Sequence, residues 1–211
     1  MVPSLSDVTF IIVNYQTPDL TTTCYQSLRY YYPEIAVIVV DNGSHDNSAN
    51  MIHRWAELHP QTKGVWLMEN KGHGPGLHAG VMETRTPFFF SLDSDTEVKR
   101  GEFLRPMLQM MTDPEVYVVG RVVQVDDTGH RLLTGQGISY CHPCAALWHR
   151  STYMAYPPFE PHGAPALRNQ RRAMRWGHRP QHFPIDEYIH HKTKGTRSRY
   201  GTHWHRKGQA L

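Results

Sequence analysis

The sequence predicts an α/β fold with a mostly parallel central sheet flanked by helices, and three observations carry that prediction. Apolar runs of strand length, among them Phe10-Ile11-Ile12-Val13 and Ala36-Val37-Ile38-Val39-Val40, lack polar alternation, as strands covered on both faces do. Helical periodicity fills the intervals between them. Each run then empties into Asn, Asp or Gly, and right-handed crossovers would gather these ends on one edge of the sheet, where open α/β sheets bind ligands.

Taken in order, Val8 to Val13 is a short β-rich run ending at Asn14-Tyr15, and Thr17-Pro18-Asp19 starts a helix with proline in its first turn. Leu20, Cys24, Leu28 and Tyr31 fall on one face of that helix. Ala36 to Val40 is the second strand, and Asp41-Asn42-Gly43-Ser44 leaves its end. A second helix presents Ile52, Trp55, Ala56 and His59 on one side, followed by a third strand over Val65 to Met68 and by Asn70-Lys71-Gly72. Residues 72–80 read Gly-His-Gly-Pro-Gly-Leu-His-Ala-Gly, able to bring backbone close to a ligand ahead of a helix running towards Thr84. Pro87 to Leu92 is a fourth strand, closed by Asp93-Ser94-Asp95. A helix near Gly101 to Met111, a fifth strand over Val116 to Val123 and a turn at Asp126-Asp127-Thr128-Gly129 follow. All five strands are expected to be parallel, with their C-terminal ends on one edge.

Hydrophobic residues make up 39% of the chain and charged ones 19%, inside the globular range, and 211 residues suffice for a full core. One domain over residues 1–211 is expected. The apolar runs fall far short of the roughly 20 residues that cross a bilayer, and no charged start followed by an apolar stretch marks a secretory signal. A soluble, cytoplasmic protein is the expectation. Three cysteines, Cys24, Cys141 and Cys144, are too few for a disulfide framework and agree with a reducing compartment. Cys141-His142-Pro143-Cys144 has the spacing of half a zinc site, which the many histidines could complete. A structural site usually needs a second ligand pair, and packed thiols are the simpler expectation. The net charge of +3 hides an asymmetry: from Glu160 onward 11 Lys and Arg stand against 3 Asp and Glu, a surplus of +8 that leaves residues 1–159 at −5. Such a basic segment suits an anionic partner, whether a diphosphate, the inner face of a membrane contacted peripherally, or a nucleic acid.

Ser94 separates two carboxylates, so on an extended chain Asp93 and Asp95 point the same way and can share one hard cation, Mg2+ or Mn2+. An ion held there would keep positions for diphosphate oxygens and neutralise charge building on a leaving group. Such triplets also occur in solvated loops. The weight of this one comes from its place after a buried strand.

The order of strands and loops over residues 8–123 resembles the family 2 glycosyltransferases of the GT-A fold. The likeness rests on Ile11-Ile12-Val13-Asn14-Tyr15, on Val39-Val40-Asp41-Asn42-Gly43-Ser44-His45-Asp46, on Asn70-Lys71-Gly72 with the glycine run, and on Leu92-Asp93-Ser94-Asp95-Thr96. It implies a Rossmann-like nucleotide-sugar-binding half over about 8–95 and an acceptor-side half over about 96–211. It also implies a donor site formed by Val13, Asn14, Tyr15, Asp41, Asn70, Gly72, Gly74, Gly76, Asp93 and Ser94, with Tyr15 and Asp41 on the base. Asp95 is then the principal metal ligand, and Asp93 is divided between ribose and metal. The chemistry of the side chains agrees, since Tyr15 offers a ring for stacking and Asp41 can accept the imide N–H that uracil and thymine possess and adenine lacks. A UDP- or dTDP-sugar is favoured on that ground. Plainer roles stay open, Tyr15 as a half-buried strand-end aromatic and Asp41 as a turn aspartate capping backbone.

Downstream, Ala145 to Tyr153, with Trp148-His149-Arg150, resembles the strand and arginine ahead of the family's acceptor loop, and Leu167 to Gly177 resembles the interface helix after it. His190-His191 ahead of Gly195-Thr196-Arg197 resembles the segment that closes over the diphosphate, where a neutral imidazole is a third metal ligand and Arg197 contacts phosphate. Strand alternation sends His190 and His191 to opposite faces, and we favour His191 as the ligand. Inverting members place an acidic pair just before the interface helix, where a carboxylate takes the acceptor hydroxyl's proton. This chain has Glu160-Pro161-His162-Gly163-Ala164-Pro165 there instead. Glu160, then His162, then Asp186 or Glu187 are the candidates for that base. The resemblance thus implies metal-assisted sugar transfer, with inversion, to a hydroxyl of a carbohydrate, a lipid-linked sugar or a protein. Two rivals stand beside it: a nucleotide-sugar-binding protein without catalysis, motivated by the missing pair, and a nucleic-acid-binding protein. The second draws on Trp176, Tyr200 and Trp204 among the late arginines and is disfavoured by the acidic first half.

Overall fold

The first apolar run becomes β1 (Val8–Asn14), buried at every residue. The computed structural model describes residues 3–161 and 163–192. Pro18 opens α1 (Pro18–Tyr31), where its missing N–H leaves no helix bond unmade. This helix buries Thr21, Cys24, Tyr25 and Leu28, whereas Tyr31 is exposed, so the buried face is turned from the one the apolar spacing suggests. The reason lies in Tyr25: its ring stacks on Trp55 at 4.2 Å and its hydroxyl meets Thr62 at 2.7 Å, so both ends of the side chain are satisfied indoors.

β2 (Ala36–Asp41), α2 (Ser48–Leu58) and β3 (Thr62–Trp66) follow. β3 starts three residues before the predicted strand, because it is an edge strand in register with β2 from Val37↔Thr62 to Asp41↔Trp66. The apolar run that misplaced it ends at Met68, which is 95% exposed. Then come α3 (His73–Glu83), β4 (Phe88–Asp93), β5 (Thr96–Val98) and α4 (Leu104–Met110). A long hairpin, β6 (Val116–Val125) and β7 (Ile138–His149), leads into α5 (Arg150–Met154), α6 (Leu167–Met174), β8 (Arg179–His182) and β9 (Ile189–His191).

Seven strands form one sheet in the order β3-β2-β1-β4-β7-β6-β8. β1 to β4 are parallel, while β7 runs antiparallel between β4 and β6. The five segments read from the sequence therefore do point one way, but the fifth is separated from the fourth by a strand of opposite direction. Periodicity over 138–149 does not reveal that insertion.

The chain adds β2 and β3 on one side of β1 and then crosses back to lay β4 on the other. Right-handed crossovers require the helices before and after that reversal to lie on opposite faces of the sheet. Accordingly Cys24, Leu28 and Ile52 pack with Phe10, Ile12 and Phe90, and Leu77 and Val81 pack with Ile11, Val13 and Phe89 on the far side. The carboxyl ends of β1 and β4 flank the switch point, which positions a crevice there.

Cys141 and Cys144, three apart on β7, lie in the two different apolar clusters on opposite faces of the sheet. They cannot converge on one ion. All three cysteines are buried and free, so the reading as packed thiols is the one the fold realises. Among the described residues no helix is long and apolar enough to cross a membrane.

Candidate active site at the switch point

Asp41 ends β2 almost fully buried, and its Oδ1 accepts hydrogen bonds from Asn14 Nδ2 at 3.0 Å and from the Ser44 hydroxyl. Ser44 also accepts from Asn14 Nδ2 (3.1 Å) and from the Gln16 main-chain N–H (2.9 Å), which ties the β1 and β2 loops together beside the half-buried Tyr15. Asn14 is fully used: its Oδ1 accepts from Thr21 at 2.7 Å while its amide group holds Asp41. Its side chain therefore aims Asp41. Val13 likewise turns its side chain into the core against Gly76. Asn14→Ala would remove one hydrogen bond from a buried carboxylate and one from a buried threonine hydroxyl, each of which keeps a second partner, and such bonds contribute about 0.5–1.5 kcal/mol apiece. Chemical denaturation is expected to show that loss.

On the next loop, Asn42 Nδ2 donates to Asn70 Oδ1 and to the Gly72 carbonyl, both at 3.1 Å. Asn70 Nδ2 is buried with no partner among the described residues, an orphan donor on the edge of the crevice. The glycines are packed closely against other parts of the chain. A Cβ on Gly74 would lie 1.9 Å from the Glu160 carbonyl oxygen, one on Gly72 2.9 Å from Pro161 Cβ, and one on Gly76 2.8 Å from Val13. They let protein approach protein, clamping the Glu160-Pro161 loop onto the start of α3 and α3 onto β1.

Asp93 and Asp95 leave β4 with Ser94 buried between them. β9 pairs with β5 so that His191 opposes Thr96 and His190 opposes Glu97. That register turns His191 inward, its Nε2 3.1 Å from Asp95 Oδ1 and 3.7 Å from Asp93 Oδ2, and leaves His190 exposed. One ligand atom from each of Asp93, Asp95 and His191 lies within 4.8 Å of the others, close enough together for the three to hold one metal ion.

Three neighbours were not foreseen as site residues. His73, at the start of α3, stands 3.1 Å from Asp93 Oδ1 without hydrogen-bond alignment, so that oxygen is buried and lacks a hydrogen-bond partner. His142 comes within electrostatic reach because β7 is irregular: Gly120 faces Ala146 but Val122 faces Cys141, so one β6 residue opposes four. Arg121 sits at that irregularity and pairs with Asp186 at 3.3 Å. His73 carried a signal, lying within the glycine run; Arg121 carried none, because only the register exposes it.

Burial works against ionisation of Asp93, yet the His73 and His191 imidazoles outweigh it and bring the carboxyl down to about 2. Burial pushes His142 down to about 4, so it is neutral. Burial also opposes charge on His73, but Asp93 overrides it and the imidazole is raised; His191 is raised by its bond to Asp95. For both histidines the folded value exceeds the ordinary 6.5. Their stabilisation is thus fully present below pH 6.5 and lost as pH rises through the raised values, a window in which Asp93 stays ionised. With EDTA, thermal stability is expected to fall on going from mildly acidic to mildly basic buffer. Saturating Mn2+ should abolish that fall, and metal affinity should drop on acidification as protons compete for His191.

The candidate bases lie on two sides. Glu160, about half-exposed, faces Arg168 at 3.9 Å beside α3, while Asp186 is paired to Arg121 next to the acidic cluster. His162, Gly195, Thr196, Arg197, Tyr200 and Trp204 lie outside the described residues.

The sequence matches the model of glycosyl transferase family 2 over residues 9–185. The chain belongs to that family. Among its sequence relatives are a dolichyl-phosphate beta-glucosyltransferase of Trichomonas vaginalis, 33% identical over 88 residues (40% of this chain, 26% of the relative), and a poly-beta-1,6-N-acetyl-D-glucosamine synthase of Staphylococcus aureus. The latter is 30% identical over 119 residues, 56% of this chain and 29% of the synthase. The family 2 chain described here thus spans less than a third of either relative. In fold it resembles a mannosyltransferase of Pyrobaculum calidifontis solved with GDP-Man and Mn2+, at a TM-score of 0.69 and 20% identity, covering 84% of this chain and 55% of that one. It also resembles S. aureus TarS 1-349 solved with UDP-GlcNAc, at a TM-score of 0.65 and 16% identity, covering 86% and 57%. The architecture is that of the GT-A glycosyltransferases.

Proposed function

We propose that this family 2 protein transfers a sugar from a nucleoside diphosphate sugar to a hydroxyl acceptor, with inversion and with a divalent cation at Asp93, Asp95 and His191. The observation that carries the reading is the meeting of those three side chains at the switch-point edge, beside the buried Asp41. The donor set suits the ion: two carboxylates and one imidazole accept Mn2+ readily and Mg2+ through the oxygens, and Asp93 Oδ1 is buried with no hydrogen bond of its own. When bound, the cation would neutralise charge on the departing diphosphate. The sugar nucleotides in the two solved relatives, one with Mn2+, support the substrate class.

The chain's own residues have distinct tasks in this reading. Asp41, oriented through Oδ1 by Asn14 and Ser44, offers Oδ2 to an imide N–H, which favours uracil or thymine; Tyr15 offers its ring to the base. Asn70 Nδ2 gives the donor an unspent N–H. Glu160, His162 or Asp186 takes the proton from the acceptor hydroxyl. We read residues 8–95 as the donor half and the remainder as the acceptor side, in a cytoplasmic setting that suits three free thiols.

Release of nucleoside diphosphate from UDP-, dTDP- and GDP-sugars, with Mn2+ and with EDTA, tests the proposal. Turnover of a uridine or thymidine donor, lost in EDTA, is expected. The missing acidic pair before α6 favours one alternative, a nucleotide-sugar-binding protein without turnover. Binding of donor with no release from any of the panel would establish that alternative.

A further inference from the structure

Arginines 168, 171, 172 and 175 are spaced at three, one and three residues on and just beyond α6, which puts all four on one helical face. The other face is fixed from within. Asn169 Nδ2 donates to the carbonyls of Tyr153 (3.1 Å) and Pro157 (2.8 Å), and Gln170 satisfies both main-chain groups of Cys141 at 2.8 and 2.7 Å. The arginine face is therefore displayed on a rigid element. It borders a cavity of about 470 Å³ in which Pro157 and Leu167 supply apolar wall and the four guanidinium groups face two carboxylates, Asp127 and Glu160.

Those carboxylates are already engaged, Asp127 with Arg171 at 2.9 Å and Glu160 with Arg168 at 3.9 Å. Arg172 and Arg175 are exposed and make no ion pair or side-chain hydrogen bond among the described residues. Like charges at helical neighbour spacing repel, so this face stands as positive charge that an anion would relieve. The guanidinium fork matches phosphate in geometry as well as charge. The cavity shares Glu160 with the loop that packs on the start of α3, where the Glu160 carbonyl lies against Gly74 and the neighbouring His73 stands 3.1 Å from Asp93.

We propose that this cavity is an acceptor-side site for a phosphate-bearing acceptor, its phosphate held by Arg172 and Arg175 with Arg168 between it and Glu160. The word acceptor rests on the glycosyl-transfer reading; the phosphate site does not. A lipid phosphate and a soluble phosphate ester share the chemistry, and the apolar wall at Pro157 and Leu167 has room to add contact for the first.

Calorimetric titration of the intact chain with farnesyl phosphate, farnesol, glucose 6-phosphate and glucose tests it, alongside titration with UDP and Mn2+ to report the donor site. Both phosphates should bind the wild type and the two alcohols should not. The double variant Arg172→Gln/Arg175→Gln should bind both phosphates at least tenfold more weakly, with UDP binding and thermal unfolding unchanged because both side chains are exposed. Lysine at both positions should restore part of the affinity, as charge without the fork. Tighter binding of farnesyl phosphate than of glucose 6-phosphate assigns a lipid carrier, and equal binding assigns the phosphate alone. Farnesol binding as well as farnesyl phosphate, or a double variant that holds phosphates like the wild type, would overturn the site. Wild type that binds the phosphates but not UDP with Mn2+ would remove the glycosyl-transfer reading and leave the phosphate site standing.

Discussion

Replacing Asp95 by asparagine is expected to lower turnover of the nucleotide-sugar by about 10²–10³-fold, the range found when one contact to developing charge is removed from a preorganised site. Asp95 is 8% exposed and its Oδ1 lies 3.1 Å from His191 Nε2, so the carboxylate is both desolvated and aimed into the cluster. The amide is nearly the same size, and folding should survive. What it removes is the negative charge that would hold a cation and that raises His191. Two readouts follow: Mn2+ affinity falls steeply, and His191, followed by NMR titration, moves back towards its ordinary value. His190→Ala, on the outward side of the same strand, should leave both unchanged. Steady-state release of nucleoside diphosphate, measured over a range of Mn2+ concentration, checks the magnitude.

Adding one methyl group at Gly74 is expected to harm the protein nearly as much by another route. The new Cβ would stand 1.9 Å from the Glu160 carbonyl oxygen and 2.7 Å from its carbon, both backbone atoms that no rotamer change can move aside. The Glu160-Pro161 loop must then lift from α3. Overpacking of this kind costs about 1–3 kcal/mol, and in a protein of this size that lowers Tm by about 3–10 °C. The lift also carries Glu160 away from the donor site, so Gly74→Ala should reduce turnover more than it weakens UDP binding at the distant Asp41. Scanning calorimetry and UDP titration of one preparation separate the two effects.

The first 95 residues were legible because their signals are local. Buried parallel strands are mostly apolar runs, and Asn14, Asp41 and Asp93 each close one of them. Strand alternation puts His190 and His191 on opposite faces, and the register with β5 is what turns His191 towards Asp95. Other features depend on partners far away in sequence. The antiparallel β7 is set by its pairing with β4 across more than fifty residues, and the irregularity that brings His142 and Arg121 near the site exists only in the β6–β7 register. At the glycines of 72–76 sequence shows that close approach is allowed but not by what; Pro161, Glu160 and Val13 lie against them. The hydrogen bonds by which Asn14 orients Asp41 are of the same long-range kind, since a polar strand end does not show in sequence which residue it will hold.

The central claim is that Asp95, Asp93 and His191 hold a cation on a nucleoside diphosphate whose base lies at Asp41 and Tyr15. A crystal structure of the protein with Mn2+ and UDP tests it most directly, with anomalous scattering to locate manganese. We predict a manganese peak bonded to the Asp95 carboxylate and to His191 Nε2, a diphosphate oxygen completing its coordination, and uracil against Tyr15 with its imide N–H on Asp41. Manganese bound away from Asp95, or UDP seated off the β1–β4 edge with Asp41 untouched, would contradict the account.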